Sequence, residues 1–420
     1  MSLEFNQIIE QVYRMGAMLT NLDFDISDKM EQAWEIFRDA NMDDVWERIE
    51  WVRQPDISGY RGAAPLSLPN ADPINARIDE PKGPERATVI AADGGQVYPD
   101  EQGTVHYYLL NIGLFVFHHG IDKTPEPLSY PDLKYHKSDV HDRYGRLIRN
   151  RTVDDRRTVE EMRRLAAEAW ERRQTKDPLI ALYDNRLLFI PGNDAYDSDS
   201  LLSSYMGALV HMHDSGASLA GYIDNPHRSK RVIQLLFLLT FKSFEEMKQR
   251  QEEMSNAGFL DGLRDEVFYD AILEPGQRSA IMVQNSPQNK LFRDKGVNYE
   301  VAFFYLKVHN GYQAKIVRVD IPVWVARDPA RVEAVQSMLL QQCRLQGRNP
   351  YPYAITRADE LAWIGGKDKA KLDELINVQV RRVKEELIGS TLPSKARTKE
   401  LARSDKRYHT MQKWGDIDDK

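Results

Sequence analysis

The stretch ATVIAADGGQVYPD, residues 87–100, constrains the fold more than any other part of the chain. Six uncharged residues, Ala87 to Ala92, lie between Arg86 and Asp93. A run this short and this apolar fits a strand covered on both faces. It closes on one carboxylate, followed at once by Gly94 and Gly95, which read as a sharp turn. Open sheets carry functional groups at strand ends of this kind. Asp93 therefore has two readings: a turn residue that bonds its own backbone, or an acid displayed for chemistry. The same arrangement occurs again at LIALYD, where a second short apolar run ends on Asp184.

The elements around these runs point to an α/β protein. Residues 1–60 read as an acidic helical region, with apolar side chains such as Ile8, Val12, Met15, Ile36 and Phe37 at helical spacing. Residues 61–86, rich in Pro, Gly, Ala and Asp, read as a linker. The main domain is expected over 87–388. It opens with a hairpin that turns near 100–103 into TVHYYLLNIGLFVFHHG, a run broken by Gly113. Helices are expected over 156–174, 199–217, 229–240, 330–346 and 357–387. Further strands are expected at ASLAGYID, at SAIMVQN, and in a hairpin about Asn310-Gly311. Residues 389–420 read as a polar tail.

Composition narrows the function classes. One cysteine, Cys343, excludes an internal disulfide framework and a cysteine-rich zinc site, which fits a reducing cytosol. No apolar stretch reaches membrane-span length and the N-terminus lacks a signal-peptide layout, so a soluble, cytoplasmic protein without a membrane partner is expected. The net charge of −7 is local: residues 1–61 hold 13 acidic and 6 basic side chains, and the remainder is balanced. Within that remainder ten arginines fall between Arg143 and Arg173, and nine Lys or Arg against four acids lie between Val378 and Arg407. Such clusters are either solvated helix faces or footprints of a polyanion.

Asp93 and Asp184, with a helix bearing Glu160 and Glu161 between them, suggest carboxylates gathered at one edge of a mixed sheet. Oxygen ligands without His or Cys favour magnesium or manganese over zinc. Two such ions about 4 Å apart can activate a water on one side of a phosphodiester and stabilise the leaving oxygen on the other. No Gly-rich Walker loop is present, so any ATP-driven motion would come from a partner.

Seven segments, AADGGQ, RRTVEEMRRLA, ALYDNRL, AGYIDNPHRS, PGQRSAIM, RVDIPVWV and YPYAITRADELAWI, occur in an order that resembles the NurA family of nucleases over residues 87–376. The resemblance implies an RNase H-like mixed sheet flanked by helices, here with an N-terminal helical extension and C-terminal helices. It also implies a manganese- or magnesium-dependent nuclease acting on DNA ends, a homodimer, and a HerA-type hexameric ATPase as partner. Asp93 and Asp184 match the family's two strand acids, and Glu161 its helix glutamate, with Glu160 the alternate. Tyr351 matches the tyrosine of the Tyr-Pro turn, and Asp359 stands where the family has a histidine. Gly95 replaces a serine, and Asn185-Arg186 replaces Gly-Ser. These departures motivate a competing reading, a catalytically weakened subunit that keeps the fold to bind DNA or a translocase. A nuclease acting on RNA is a third reading.

Arg228, Lys230 and Arg231 sit at a turn and helix start where charge and backbone N–H groups could hold phosphate. Arg278, in a Gly-containing turn, is a further DNA-binding candidate; solvated side chains are the alternative for all four. His211 and His213, two residues apart on a helix, point in different directions and read as structural. His118-His119 reads as a pair closing a strand.

Overall fold

The computed structural model describes residues 5–383 except 58, 69–70, 104 and 193–196. The polar tail over 389–420, and with it most of the second basic cluster, lies outside the described residues.

The opening run forms the centre of the sheet. Strand β3 (Ala87–Val97) follows two short strands, β1 (Ala63–Pro65) and β2 (Arg77–Ile78). It is followed by β4 (Tyr108–His119), β5 (Glu126–Lys134), β6 (Leu179–Tyr183), β7 (Ser218–Ile223), β8 (Arg278–Ser279), β9 (Met282–Gln284), β10 (Val301–His309) and β11 (Ala314–Pro322). The order across the sheet is β1-β9-β10-β11-β7-β6-β3-β4-β5, with β8 joining β2 to β10. Strands β3, β4 and β5 form an antiparallel meander, while β6 and β7 run parallel to β3. A meander whose first strand is flanked by parallel crossover strands is the RNase H-like arrangement.

Strand β3 does not turn at the glycines. Its antiparallel pairing with β4 continues from Ala87↔His119 to Val97↔Leu109, whereas its parallel pairing with β6 stops at Ala92↔Tyr183. Asp93 is thus the first residue of β3 to outrun its neighbour. Neither Gly94 nor Gly95 has a positive φ. Their role is close approach: a Cβ at Gly94 would overlap the Glu161 carboxylate, and one at Gly95 the Ala362 carbonyl. Gly113, cross-strand from Asp93, does not break β4 and admits the Ala358 carbonyl in the same way.

Helices cover both faces. Helix α3 (Asn150–Glu171) lies on the face that Gly94 addresses and packs against α4 (Ser198–Asp214). On the Gly95 face lies α8 (Tyr353–Ala362), reached after α5 (Arg231–Leu239), α6 (Asp265–Ile272) and α7 (Pro329–Arg344). Alternation along a strand puts Asp93 and Gly95 on one face, so Asp93 points towards α8. The single helix expected over 357–387 is two, α8 and α9 (Gly366–Val383), because the backbone leaves the helical conformation at Trp363 and re-enters it at Gly366.

Three features go beyond the sequence reading. The segment over 61–86 is not a bare linker: β1 pairs with β9 and β2 with β8. Strand β5 was hidden by Pro127 and Pro131, which an edge strand tolerates. The N-terminal region is not a separate body. Its helices α1 (Phe5–Arg38) and α2 (Met42–Val52) bury Ala33, Phe37, Val45, Ile49 and Val52 in the main core, and Phe37 meets the edge of Phe268 at 5.2 Å. Among the described residues no helix is long and apolar enough to cross a membrane.

Candidate active site

Three parallel strands deliver an aspartate to one edge of the sheet. Ala92, Tyr183 and Gly221 are level in β3, β6 and β7. Asp93 and Asp184 follow directly, and Asp224 lies just past the end of β7. The third acid was readable in the sequence, since AGYID repeats the apolar run closing on an acid, but it was not assigned to a site. Asp224 is ion-paired with Lys315 at 2.5 Å.

Helix α3 adds Glu161. Its side chain is buried, accepts a hydrogen bond from the Tyr183 hydroxyl at 3.0 Å and pairs with Arg157 at 3.1 Å. Glu160, one residue away, turns to Arg163 and Arg164 at 2.6 and 2.7 Å. Of the two glutamates, Glu161 is the one beside Asp93. Arg157 also donates to Gln96 at 2.6 Å, and Asp154, one more turn back on α3, accepts from Tyr98 at 2.7 Å. Both contacts tie α3 to the extension of β3 beyond Asp93. Neither Asp154 nor Arg157 was singled out in the sequence, since their bonds to Tyr98 and Gln96 depend on the β3 extension.

The electrostatics follow from crowding. Burial, then the Glu161 charge, pushes the Asp93 carboxyl up to about 8, against the opposing hydrogen bond from the Gly94 N–H. Burial pushes Glu161 up to about 7, with Arg157 opposing and Asp184 reinforcing. Asp184 is raised by burial, with the hydrogen bond from Tyr351 opposing it and the charges of Asp224 and Asp359 adding to it. Tyr351 donates its hydroxyl to Asp184 Oδ1 at 2.6 Å and packs edge-on to Tyr222 at 5.2 Å. Asp359, exposed on α8, comes within hydrogen-bonding reach of Asp93. The strand acids, Glu161, Tyr351 and Asp359 therefore share one electrostatic site.

Oxygen donors alone suit a hard divalent cation. Among the described residues, however, no three His, Cys, Asp or Glu side chains form a ready metal cage.

The four basic candidates are not gathered here as a set. Arg278 is buried, paired with Asp72 at 3.0 Å and packed on Phe304. The phosphate site expected at the start of α5 is already filled: the N–H groups of Arg231, Val232 and Ile233 all donate to the buried carboxylate of Asp265. The guanidinium of Arg231 bonds the Arg61 carbonyl at 2.9 Å, and Lys230 pairs with Asp261 at 3.3 Å. Only Arg228 is exposed. His118 pairs with Glu126 at the far end of β4, and His211 and His213 pack on Trp170 and Trp324, so none of the three approaches the acids.

The family model of the NurA domain matches residues 87–364, from the first residue of β3 to the end of α8. The chain belongs to the NurA family. The NurA domain so delimited contains Asp93, Glu161, Asp184, Tyr351 and Asp359. Similar solved structures include the NurA nuclease from Sulfolobus solfataricus, at 15% identity over 90% of this chain and 99% of that chain with a TM-score of 0.43. A second NurA structure is 13% identical over 74% of this chain and 92% of that chain, with a TM-score of 0.36. A type 1 RNase H with the type 2 active-site motif is 10% identical over 33% of this chain and 62% of that chain, with a TM-score of 0.21. No curated protein matches the chain.

Proposed function

We propose that this chain is a metal-dependent DNA nuclease that hydrolyses phosphodiester bonds at DNA ends by a two-metal carboxylate mechanism. The observation that carries the reading is the juxtaposition of Asp93, Asp184 and Glu161, three acids from distant parts of a NurA domain, on adjoining elements around one strand edge.

Asp93, Glu161, Asp184 and Asp359 would hold manganese or magnesium. The donor set fits in chemistry, because burial and mutual repulsion leave Asp93 and Glu161 short of the positive charge that a cation supplies. When bound, such ions supply Lewis-acid polarisation of the phosphate and a more acidic water. The protein's own part is positioning. Tyr351 fixes Asp184 through Oδ1, and Asp184 so oriented would help hold the ion. Tyr183 and Arg157 restrain Glu161, and the Gly94 N–H orients Asp93 at 2.7 Å.

The NurA resemblance supports a homodimer and a HerA-type hexameric ATPase as partner in the cytoplasm. Size-exclusion chromatography and co-purification with such an ATPase test these assignments.

A catalytically weakened DNA-binding or scaffold subunit is the second reading. Gly95, Asn185 and Asp359, where the chain departs from the pattern that the resemblance implies, favour it. Labelled single-stranded DNA, duplex DNA and RNA, each with manganese, magnesium or EDTA, separate the alternatives. Metal-dependent cleavage of DNA is expected. Binding without cleavage under every metal would select the weakened subunit, and cleavage of RNA alone would reject the DNA assignment.

A further inference from the structure

Trp363 stands out on the surface. It is 73% exposed, and it is the only exposed tryptophan among the described residues. An indole this open offers a flat, aromatic face to a partner. Its place in the fold indicates what that partner is. Trp363 lies one helical turn after Asp359, and its N–H donates to the Asp359 carbonyl at 2.9 Å. The preceding residue, Ala362, is pressed onto Gly95 of β3, two positions past Asp93, and its carbonyl accepts from Asn111 at 3.2 Å. The backbone that carries the indole is thus fixed beside the acid site by the same close approach that requires glycine at position 95.

A cavity of about 530 Å³ opens at the residues that follow it, Ile364 to Gly366, between the β3 extension and the start of α9. Gln96, Tyr98, Gln102, Ile364, Gly366 and Lys369 contribute to its wall. That volume is in the range of small-molecule pockets, roughly 300–1,000 Å³. Asp100 and Glu101 also line it, which disfavours a phosphate inside. A neutral base is better suited, with the amides of Gln96 and Gln102 as donors and acceptors for its edge. Lys369, in the same lining, supplies a positive charge for the sugar-phosphate backbone.

We propose that Trp363 is a stacking platform for a base of an unpaired nucleic-acid strand, which threads past the cavity between the β3 extension and α9 to reach the acids. This rests on the nuclease reading for its substrate class, but it concerns binding alone. A fully paired duplex keeps its base faces covered, so the platform selects single-stranded ends, and stacking tolerates any base because every base has a π-face.

The test uses the full chain carrying Asp93→Ala and reads fluorescence anisotropy of a labelled oligothymidylate, a matched abasic strand and a blunt duplex. Adding Trp363→Ala is expected to weaken oligothymidylate binding by about tenfold, leaving the abasic strand and the duplex unchanged. Trp363→Phe is expected to recover most of the loss. Because the side chain is exposed, both variants should melt with the parent. Unchanged oligothymidylate affinity, equal losses on the abasic strand, or no rescue by phenylalanine would overturn the proposal. Cleavage by the chain with Asp93 intact is scored separately. A cleaving enzyme indifferent to Trp363→Ala refutes the platform alone, and a non-cleaving protein with Trp363-dependent binding refutes the nuclease alone.

Discussion

The Tyr351 hydroxyl donates to Asp184 Oδ1 at 2.6 Å, joining the turn before α8 to the end of β6. It is a direct tie between the C-terminal part of the NurA domain and the strand acids. Tyr351 is held as a neutral donor, since burial and then the Asp184 charge raise its own pKa. Tyr351→Phe removes the donor and keeps the ring packed on Tyr222. Hydrogen bonds to charged groups are worth about 1.5–3 kcal/mol, so cleavage is expected to fall about tenfold or more. The acid limb of the pH–rate profile should move up, because Asp184 loses the contact that holds its pKa down. Melting temperature should fall by a few degrees, because a buried carboxylate loses its donor, and a variant with the parental rate and profile would place Tyr351 outside the reaction.

Asp93 sets the pH dependence of the metal-free protein. Its folded pKa of about 8 lies well above that of an unfolded carboxyl, about 3.9. The folded chain therefore keeps a proton here that the unfolded chain releases. The resulting stability is complete below about pH 4 and is lost as pH rises through about 8. Glu161, up to about 7, acts in the same sense. In EDTA, Asp93→Asn is expected to melt higher than the parent at pH 8 and to flatten the decline between pH 5 and 8. Thermal melts across that range check it.

Asp359 approaches Asp93 where the family resemblance implies a histidine. Asp359→Asn should raise the metal-free melting temperature by removing a like charge, while weakening stabilisation by added manganese. Asp359→His restores a nitrogen donor and should shift preference towards manganese over magnesium. Melting and cleavage with each metal read both effects.

Gly95 stands where the family resemblance implies a serine, and the structure leaves no room for one. A side chain there meets the Ala362 carbonyl, which belongs to α8 and cannot swing aside like a side chain. Gly95→Ser is expected to cost about 1–3 kcal/mol and to lower the melting temperature. An unchanged melt would show that α8 sits further from β3 than the structure has it.

The N-terminal helices divide into two parts. Ala33 and Phe37 are buried, whereas Phe5, Ile9, Val12 and Tyr13 are exposed. Deleting residues 1–52 should leave an unfolded or insoluble chain, because it uncovers the core beneath α1 and α2. Deleting residues 1–15 should leave the melting temperature unchanged while weakening association with a second copy or a translocase. Light scattering and co-purification measure the second effect.

How far the sequence could be read depends on the range of the contacts involved. Apolar runs closing on acids are local, so β3, β6 and the positions of Asp93 and Asp184 were legible, as was the hairpin turning at Gly311. The glycines after Asp93 were misread because a sharp turn and a close approach leave the same residue, and only the packing of α3 and α8 distinguishes them. The N-terminal end of α5 was misread as an anion site because Asp265, which fills it, is 34 residues away from Arg231. Arg278 looked like a surface cation because its partner Asp72 lies in a segment that read as linker. Asp224 was overlooked although its pattern matched, since nothing local marks which of several strand ends are neighbours.

The central claim is that the acids around Asp93 carry out phosphodiester hydrolysis. The direct measurement compares the parent with Asp93→Ala on end-labelled DNA in manganese, with circular dichroism and melting recorded on the same samples. The account predicts a folded variant, at least as stable as the parent in EDTA, that no longer cuts DNA. A folded Asp93→Ala protein with undiminished manganese-dependent cleavage would contradict it.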